Sequence, residues 1–234
     1  MKRFTTLSLI AVLAVTVTTV VLSPRTANAQ SAGIVSSILN RMDRNRRDLR
    51  SLRSGIMMEK CNTQIGDCDR FMGAMIYMPG KGRNSNVRID WQKPQVEMLA
   101  VADGQYTLFR PRLNMAYRGS ANSNRNRVSS VLGFGLNVTQ QQLRTQFEPV
   151  QFVGEGQLDG GIHVVQLKLV PKGNAGYKYA EIWVDDAGMP VQTKWVERND
   201  DYTIVRLFNV RKNAGISAND FRLQLGNDVK IVRS

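Results

Sequence analysis

The stretch 71–117, FMGAMIYMPGKGRNSNVRIDWQKPQVEMLAVADGQYTLFRPRLNMAY, decides the fold of this chain. Pro79-Gly80-Lys81, Lys93-Pro94 and Asp103-Gly104 cut it into short apolar runs. Asp-Gly between two such runs signals a tight hairpin, because both central residues of a type I′ turn need positive φ. The stretch therefore predicts a meander of antiparallel strands. It is too apolar for a sheet with one wet face: Met75, Tyr77, Ile89, Trp91, Leu99, Val101 and Leu108 must meet either the protein's own core or a ligand.

Working outward, Ile34, Val35, Ile38, Leu39, Met42, Leu49 and Leu52 recur at helical spacing, with Ser31 as an N-cap ahead of them. The other side of this amphipathic helix carries Arg41, Arg44, Arg47, Arg50 and Arg53. Strands begin near Gly55. Beyond Tyr117 the polar run from Gly119 to Arg127 predicts a loop. Val128 to Leu136 is apolar and glycine-bearing, and suits a short helix or turn better than a core strand. Thr139 and Gln142 form a capping box for a small helix through Phe147. Alternation resumes with Val165, Leu167 and Leu169, then with Ala180, Ile182 and Val184 before the turn at 185–188. Val191, Thr193 and Trp195 lead to a turn at 199–201, and 204–210 is apolar on both faces. Phe221, Leu223 and Leu225 are expected to close the set, with Val229 and Ile231 after. About ten or eleven short strands with hairpin turns imply a mainly β (α+β) sandwich or barrel, covered by one long helix and one apolar insertion.

The N-terminus reads as a secretory signal peptide over residues 1–29. Lys2 and Arg3 precede an apolar run from Leu7 to Leu22, and Ala27-Asn28-Ala29 is a small-x-small cleavage site. A transmembrane anchor is the competing reading, but the run is short and diluted by Thr16, Thr18 and Thr19. Residues 30–234 then form a single domain, a length at which one β-barrel is ordinary. The chain carries +13, and removing Lys2, Arg3 and Arg25 leaves 13 − 3 = +10. In an exported protein that charge points to anionic headgroups, an acidic partner or simple solubility rather than to nucleic acid. The two cysteines, Cys61 and Cys68, flank a turn-rich segment and in an oxidising compartment predict a disulfide across a hairpin end.

Residues for catalysis do not assemble. With His163 as the lone histidine, most zinc sites and a Ser-His-Asp triad lack their parts. Asp67 and Asp69, Asp185 and Asp186, and Asp200 and Asp201 fall where turns are expected, and turns favour aspartate for backbone reasons. Gly133 and Gly135 lack the Lys-Ser/Thr of a phosphate loop. The chain is thus read as a protein that is not an enzyme and that uses neither metal nor cofactor.

The order of these elements, with Gly73-x-Met75-x-Tyr77-x-Pro79-Gly80-Lys81, Val87-Arg88-Ile89-Asp90-Trp91-x-x-Pro94, Ala102-Asp103-Gly104, Phe109-x-Pro111 and Tyr117, resembles the periplasmic outer-membrane lipoprotein carrier (LolA-like) family. The tail from Asn213 to Phe221 is similar to the family's closing strand. The resemblance implies an incomplete antiparallel β-barrel around an apolar cavity. It implies a periplasmic chaperone that carries the acyl chains of lipoproteins from inner to outer membrane. An envelope sensor of lipid or lipoprotein, or a carrier of another amphiphile, is the alternative on the same fold. Met75, Tyr77, Ile89, Trp91, Leu99, Val101, Leu108, Ile182, Val184 and Trp195 would line the cavity, the opposite strand face packing the helix. Val131, Leu132, Phe134 and Leu136 would form a lid hinged at Gly133 and Gly135. The implied partners are acylated lipoproteins, an inner-membrane lipoprotein-releasing ABC transporter and an outer-membrane acceptor, met by a monomer. Met78 stands where the family has an arginine that bonds to the lid, leaving Lys81 or Arg88 to replace it.

Overall fold

The computed structural model describes residues 25–80, 85–121, 136 and 138–233. Helix α1 (Arg25–Asp48) leads into β1 (Leu52–Asn62) and β2 (Asp67–Met78). The meander continues through β3 (Asn86–Lys93), β4 (Glu97–Ala102), β5 (Gln105–Arg110) and β6 (Met115–Ser120). After the short helix α2 (Gln140–Gln146) come β7 (Gln151–Leu158), β8 (Ile162–Leu169), β9 (Tyr177–Asp185), β10 (Pro190–Glu197) and β11 (Tyr202–Lys212). The last strand is β12 (Lys230–Arg233).

The twelve strands among the described residues form one open sheet in the order β12-β6-β5-β4-β3-β2-β1-β11-β10-β9-β8-β7. Neighbours are antiparallel except β12, which runs parallel to β6. The sheet is an incomplete barrel with β12 and β7 as its edges. Asp103 and Gly104 take φ of 53° and 75°, as the β4–β5 hairpin requires.

Register assigns the faces. Leu52, Ser54, Ile56 and Met58 of β1 pair with Tyr77, Met75, Gly73 and Phe71 of β2. Met75 and Tyr77 pair with Ile89 and Val87, and these with Leu99 and Val101. In the other half Ile56 and Met58 pair with Leu207 and Val205, and Thr193 pairs with both Val205 and Ile182. These residues share the concave face. Helix α1 packs there too, since Ile38, Met42 and Leu49 are buried in the same hydrophobic cluster. The assignment of helix and cavity to opposite strand faces is therefore corrected: both lie on one side.

The end of α1 is stitched to the end of β11. Asn213 donates from Nδ2 to the Asp48 carbonyl at 3.2 Å, and its Oδ1 accepts from the Arg50 amide at 2.8 Å. Asn45, buried in the helix, accepts from Lys212 Nζ at 3.0 Å. The Asp48 carbonyl is one of those that a helix C-terminus otherwise leaves unpaired.

Three further expectations differ from the structure. Helix α1 starts at Arg25, so Ser31 lies inside it rather than capping it; the alanine-rich residues before it favour helix. Phe221, Leu223 and Leu225 form no strand. Instead a 3-10 turn (Ala218–Phe221) crosses the convex face over β3 and β4, and Phe221 is fully buried. Arg88 donates to the Asp220 carbonyl at 3.1 Å and holds that turn down. The tail from Asn213 to Phe221 thus ends in a turn laid over β3 and β4 on the convex side rather than in a closing strand. Finally, β7 lies outside the expected strands. Gly154, Glu155 and Gly156 break the apolar pattern, which an edge strand paired on one side tolerates.

Candidate functional site

Every residue expected to line a cavity falls on the concave face. Leu99 pairs with Leu108, Thr193 with Ile182, Val165 with Val184, and Trp195 with both Ala180 and Thr203. Met75, Tyr77, Ile89, Trp91, Val101, Ile182, Val184 and Trp195 are buried. Leu99 and Leu108 are half-buried, as are Tyr106 and Tyr117 beside them. The concave wall is thus most open toward β4, β5 and β6. Phe71 stacks edge-on against Trp91, ring centroids 5.8 Å apart.

Polar atoms on this wall are few. Tyr77 Oη shares a hydrogen bond with Ser85 Oγ at 3.2 Å, and burial pushes its phenol pKa up against that bond. Glu97 and Arg110 form an ion pair at 3.0 Å, with the Arg110 guanidinium 5.6 Å from the Tyr117 ring. Ser54 Oγ and Thr193 Oγ1 are buried with no hydrogen-bond partner among the described residues. Such hydroxyls suit a polar atom of a bound guest. Sequence reasoning missed Ser54, because a small polar residue in an apolar strand gives no periodic signal.

A cleft of about 380 Å³ opens between α1 and α2, within the range of small-ligand pockets, roughly 300–1,000 Å³. Val35, Leu39, Leu143, Phe147 and Val150 line it, with Arg144 and Lys172 among its polar walls. Leu143 and Phe147 also belong to the central apolar cluster, so the cleft floor continues into the core. The capping box that starts α2 is present, Thr139 Oγ1 accepting from the Gln142 amide at 3.1 Å and Gln142 Oε1 from the Thr139 amide at 2.9 Å. Of the expected lid, Leu136 is buried against Val191, Thr193, Val205 and Leu207. Val131, Leu132 and Phe134 lie outside the described residues, as does Lys81. Arg88 is no replacement latch: it faces the convex side, paired with Asp90 at 2.9 Å.

Cys61 and Cys68 face each other across the β1–β2 hairpin and are disulfide-bonded, as expected. Glu59 lies beside them, but sulfurs joined to each other are not metal ligands. The carboxylate pairs mostly serve turns. Asp185 Oδ1 accepts from the Met189 amide at 2.7 Å, and Asp201 Oδ1 from the Thr63 amide at 2.9 Å. Asp67 and Asp69 depart from this, for they open β2. His163 bonds through Nδ1 to Asp186 at 2.8 Å, which raises its pKa.

No protein-family model matches the chain, and no curated protein matches it. Solved structures do. An uncharacterized conserved protein from Thermus thermophilus superposes with a TM-score of 0.55 at 11% identity, over 86% of this chain and 99% of that one. MucB superposes at 0.56 and 15% identity, over 86% of this chain and 66% of its own. It does so again in the Pseudomonas aeruginosa MucA/MucB complex, at 0.51. A LolA superfamily protein from Nitrosomonas europaea aligns over 80% of this chain and 97% of its own, at 12% identity and a TM-score of 0.40. The chain spans about two thirds of the MucB chain. What it shares with MucB and the Thermus protein is the half-barrel fold.

Proposed function

We propose that the protein is a LolA-like carrier, a non-catalytic periplasmic chaperone that holds the acyl chains of lipoproteins against its concave face and ferries them to the outer membrane. The observation that carries the reading is the concave wall itself. All ten residues expected on it share one face, and the wall opens at Leu99, Tyr106, Leu108 and Tyr117. An acyl chain gains about 0.8 kcal/mol for each CH₂ it buries there. Ester carbonyls would satisfy Ser54 and Thr193. Release is kept feasible because Leu136 and α1 already occupy much of the wall, so guest and protein compete for the same apolar surface. Loading would fall to an inner-membrane transporter and unloading to an outer-membrane acceptor.

The test is mass spectrometry of protein purified from periplasm, with fluorescent fatty-acid titration alongside. Acylated species should co-purify, and the probe should be displaced by them. A lipid-free protein that also ignores the probe ends the reading. The second reading, an envelope sensor, is favoured by the likeness to MucB, which is solved in complex with MucA. It predicts a stoichiometric complex with a protein partner, and no transfer of lipoprotein between membranes.

A further inference from the structure

The turns at the two ends of the sheet differ in kind. Antiparallel connectivity puts the β1–β2, β3–β4 and β5–β6 turns at one end. Each presents one aliphatic side chain to solvent: Ile65 is 74% exposed, Val96 48% and Leu113 57%, whereas the β8–β9 and β10–β11 turns, at the same end in the other half of the sheet, show no large exposed hydrophobic among the described residues. At the opposite end, the turns at Asp103-Gly104, 159–161 and 186–188 show no large exposed hydrophobic among the described residues. A single exposed aliphatic needs no explanation. One at each of three successive tips does, because turns are normally built from Gly, Pro, Asn, Asp and Ser.

The first and third of these tips are tied down by hydrogen bonds. Asn62 Oδ1 accepts from the Gln64 and Ile65 amides at 3.0 and 3.2 Å, just beyond the disulfide. Asn114 donates from Nδ2 to Asp228 Oδ2 at 2.8 Å, tying the third tip to the chain before β12. Exposed cations stand at their bases. Lys93, Arg112 and Lys230 have no ion pair among the described residues. The acids nearby are Glu97, already paired with Arg110, Asp228, bound by Asn114, Asp67 and Asp69 on the first hairpin, and Glu197, Asp200 and Asp201 at the β10–β11 turn beside it, where Asp200 is paired with Lys178 and Asp201 accepts from the Thr63 amide; Lys93, Arg112 and Lys230 thus gather at the second and third tips.

We propose that this end of the sheet docks on an anionic phospholipid bilayer. Ile65, Val96 and Leu113 enter the headgroup boundary while Lys93, Arg112 and Lys230 meet lipid phosphates. Adjacent tips lie two strands apart, about 10 Å. Small aliphatic side chains so spaced cannot form the packed, water-free centre of a protein interface. They do fit shallow insertion between headgroups, which adds apolar burial to electrostatic attraction. The proposal stands apart from the acyl-carrying reading, for it uses none of the concave wall.

The test is flotation of the protein, as processed by the cell, with vesicles of phosphatidylethanolamine and phosphatidylglycerol. The triple variant Ile65→Asn, Val96→Asn, Leu113→Asn leaves charge unchanged and should bind about tenfold more weakly while melting normally. The variant Lys93→Gln, Arg112→Gln, Lys230→Gln should bind weakly at all salt concentrations, whereas the unaltered protein is released by salt. Failure to float, or equal flotation of the unaltered protein and the triple Asn variant, overturns the proposal. So does loss of a dimer in light scattering with no change at vesicles, which would make the tips a contact between copies. Fatty-acid binding by the triple Asn variant reports separately on the concave wall.

Discussion

Gly188 lies directly against the backbone of Arg41: a Cβ at Gly188 would come within 2.4 Å of the Arg41 carbonyl carbon and oxygen. Gly188 also sits at φ +80°, which L side chains rarely adopt. The β9–β10 turn thus reaches α1 only because this position has no side chain. Arg41 Nη1 adds a 3.3 Å bond to the Asp186 carbonyl. Gly188→Ala should cost about 2–4 kcal/mol, combining strain at positive φ with a clash against backbone that cannot yield. In thermal melts this is a fall of roughly 5–15 °C for a chain of this size. Gly154→Ala, in open space on the edge strand, should melt within a degree or two of the unaltered protein, about the spread of neutral surface changes.

Thr193 separates ligand binding from stability. Its hydroxyl is buried without a partner among the described residues, so the folded protein bears its desolvation cost, of order 1–3 kcal/mol. Thr193→Val keeps the shape and removes the orphan, and should leave the melting temperature unchanged or raise it. If the hydroxyl meets an acyl ester, the same change weakens binding of an ester-bearing lipid more than of a free fatty acid. Ile89→Ala gives the contrast. Ile89 is fully buried in the core, and its truncation should cost about 2–5 kcal/mol.

His163 makes stability depend on pH in a defined sense. The hydrogen bond and charge of Asp186, aided by Glu155, raise its folded pKa above the ordinary 6.5. The folded state thus binds the proton more tightly than the unfolded one. The resulting stabilisation is fully present below the unfolded value and is lost as pH rises through the folded one. An NMR titration of the imidazole should give a midpoint above 6.5. Asp186→Asn should lower that midpoint and flatten the change in melting temperature across the same window.

The parts of the fold legible in the sequence are those where one local rule dominates. Asp103-Gly104, the capping box at Thr139 and Gln142, and the alternation of Val165, Leu167 and Leu169 each carry their own geometry. Face assignment is harder, because bulges between Arg53 and Gly55, between Met72 and Gly73, and between Pro190 and Gln192 reset the parity of neighbouring strands. Phe221 reads as a strand residue because a single buried aromatic packs as well from a turn as from a strand. The concave residues are legible because side chains of that bulk recur at every second position. Ser54 and the exposed tips at Ile65, Val96 and Leu113 are not, since their meaning depends on neighbours far away in the chain. Gly73 is legible only in retrospect: a Cβ there would lie 2.3 Å from the Asp90 carbonyl oxygen, the close approach that glycine inside a strand often marks.

The disulfide offers a last, quantitative test. Cys61 and Cys68 are seven positions apart and are already direct cross-strand neighbours. Closing so short a loop removes little freedom from the unfolded chain, about 2–2.5 kcal/mol by the chain-entropy relation. The hairpin beyond it makes few tertiary contacts; its outer anchor is the bond from the Thr63 amide to Asp201. The double change Cys61→Ser, Cys68→Ser should therefore lower the melting temperature by roughly 5–10 °C without loss of fold. Reductant should produce the same fall in the unaltered protein and none in the variant. Hydrogen exchange should quicken at the amides of 62–68 while those of β1 from Ile56 to Met58, buried between β2 and β11, stay protected. A global collapse on reduction would instead mean that the hairpin's closure supports the whole concave wall.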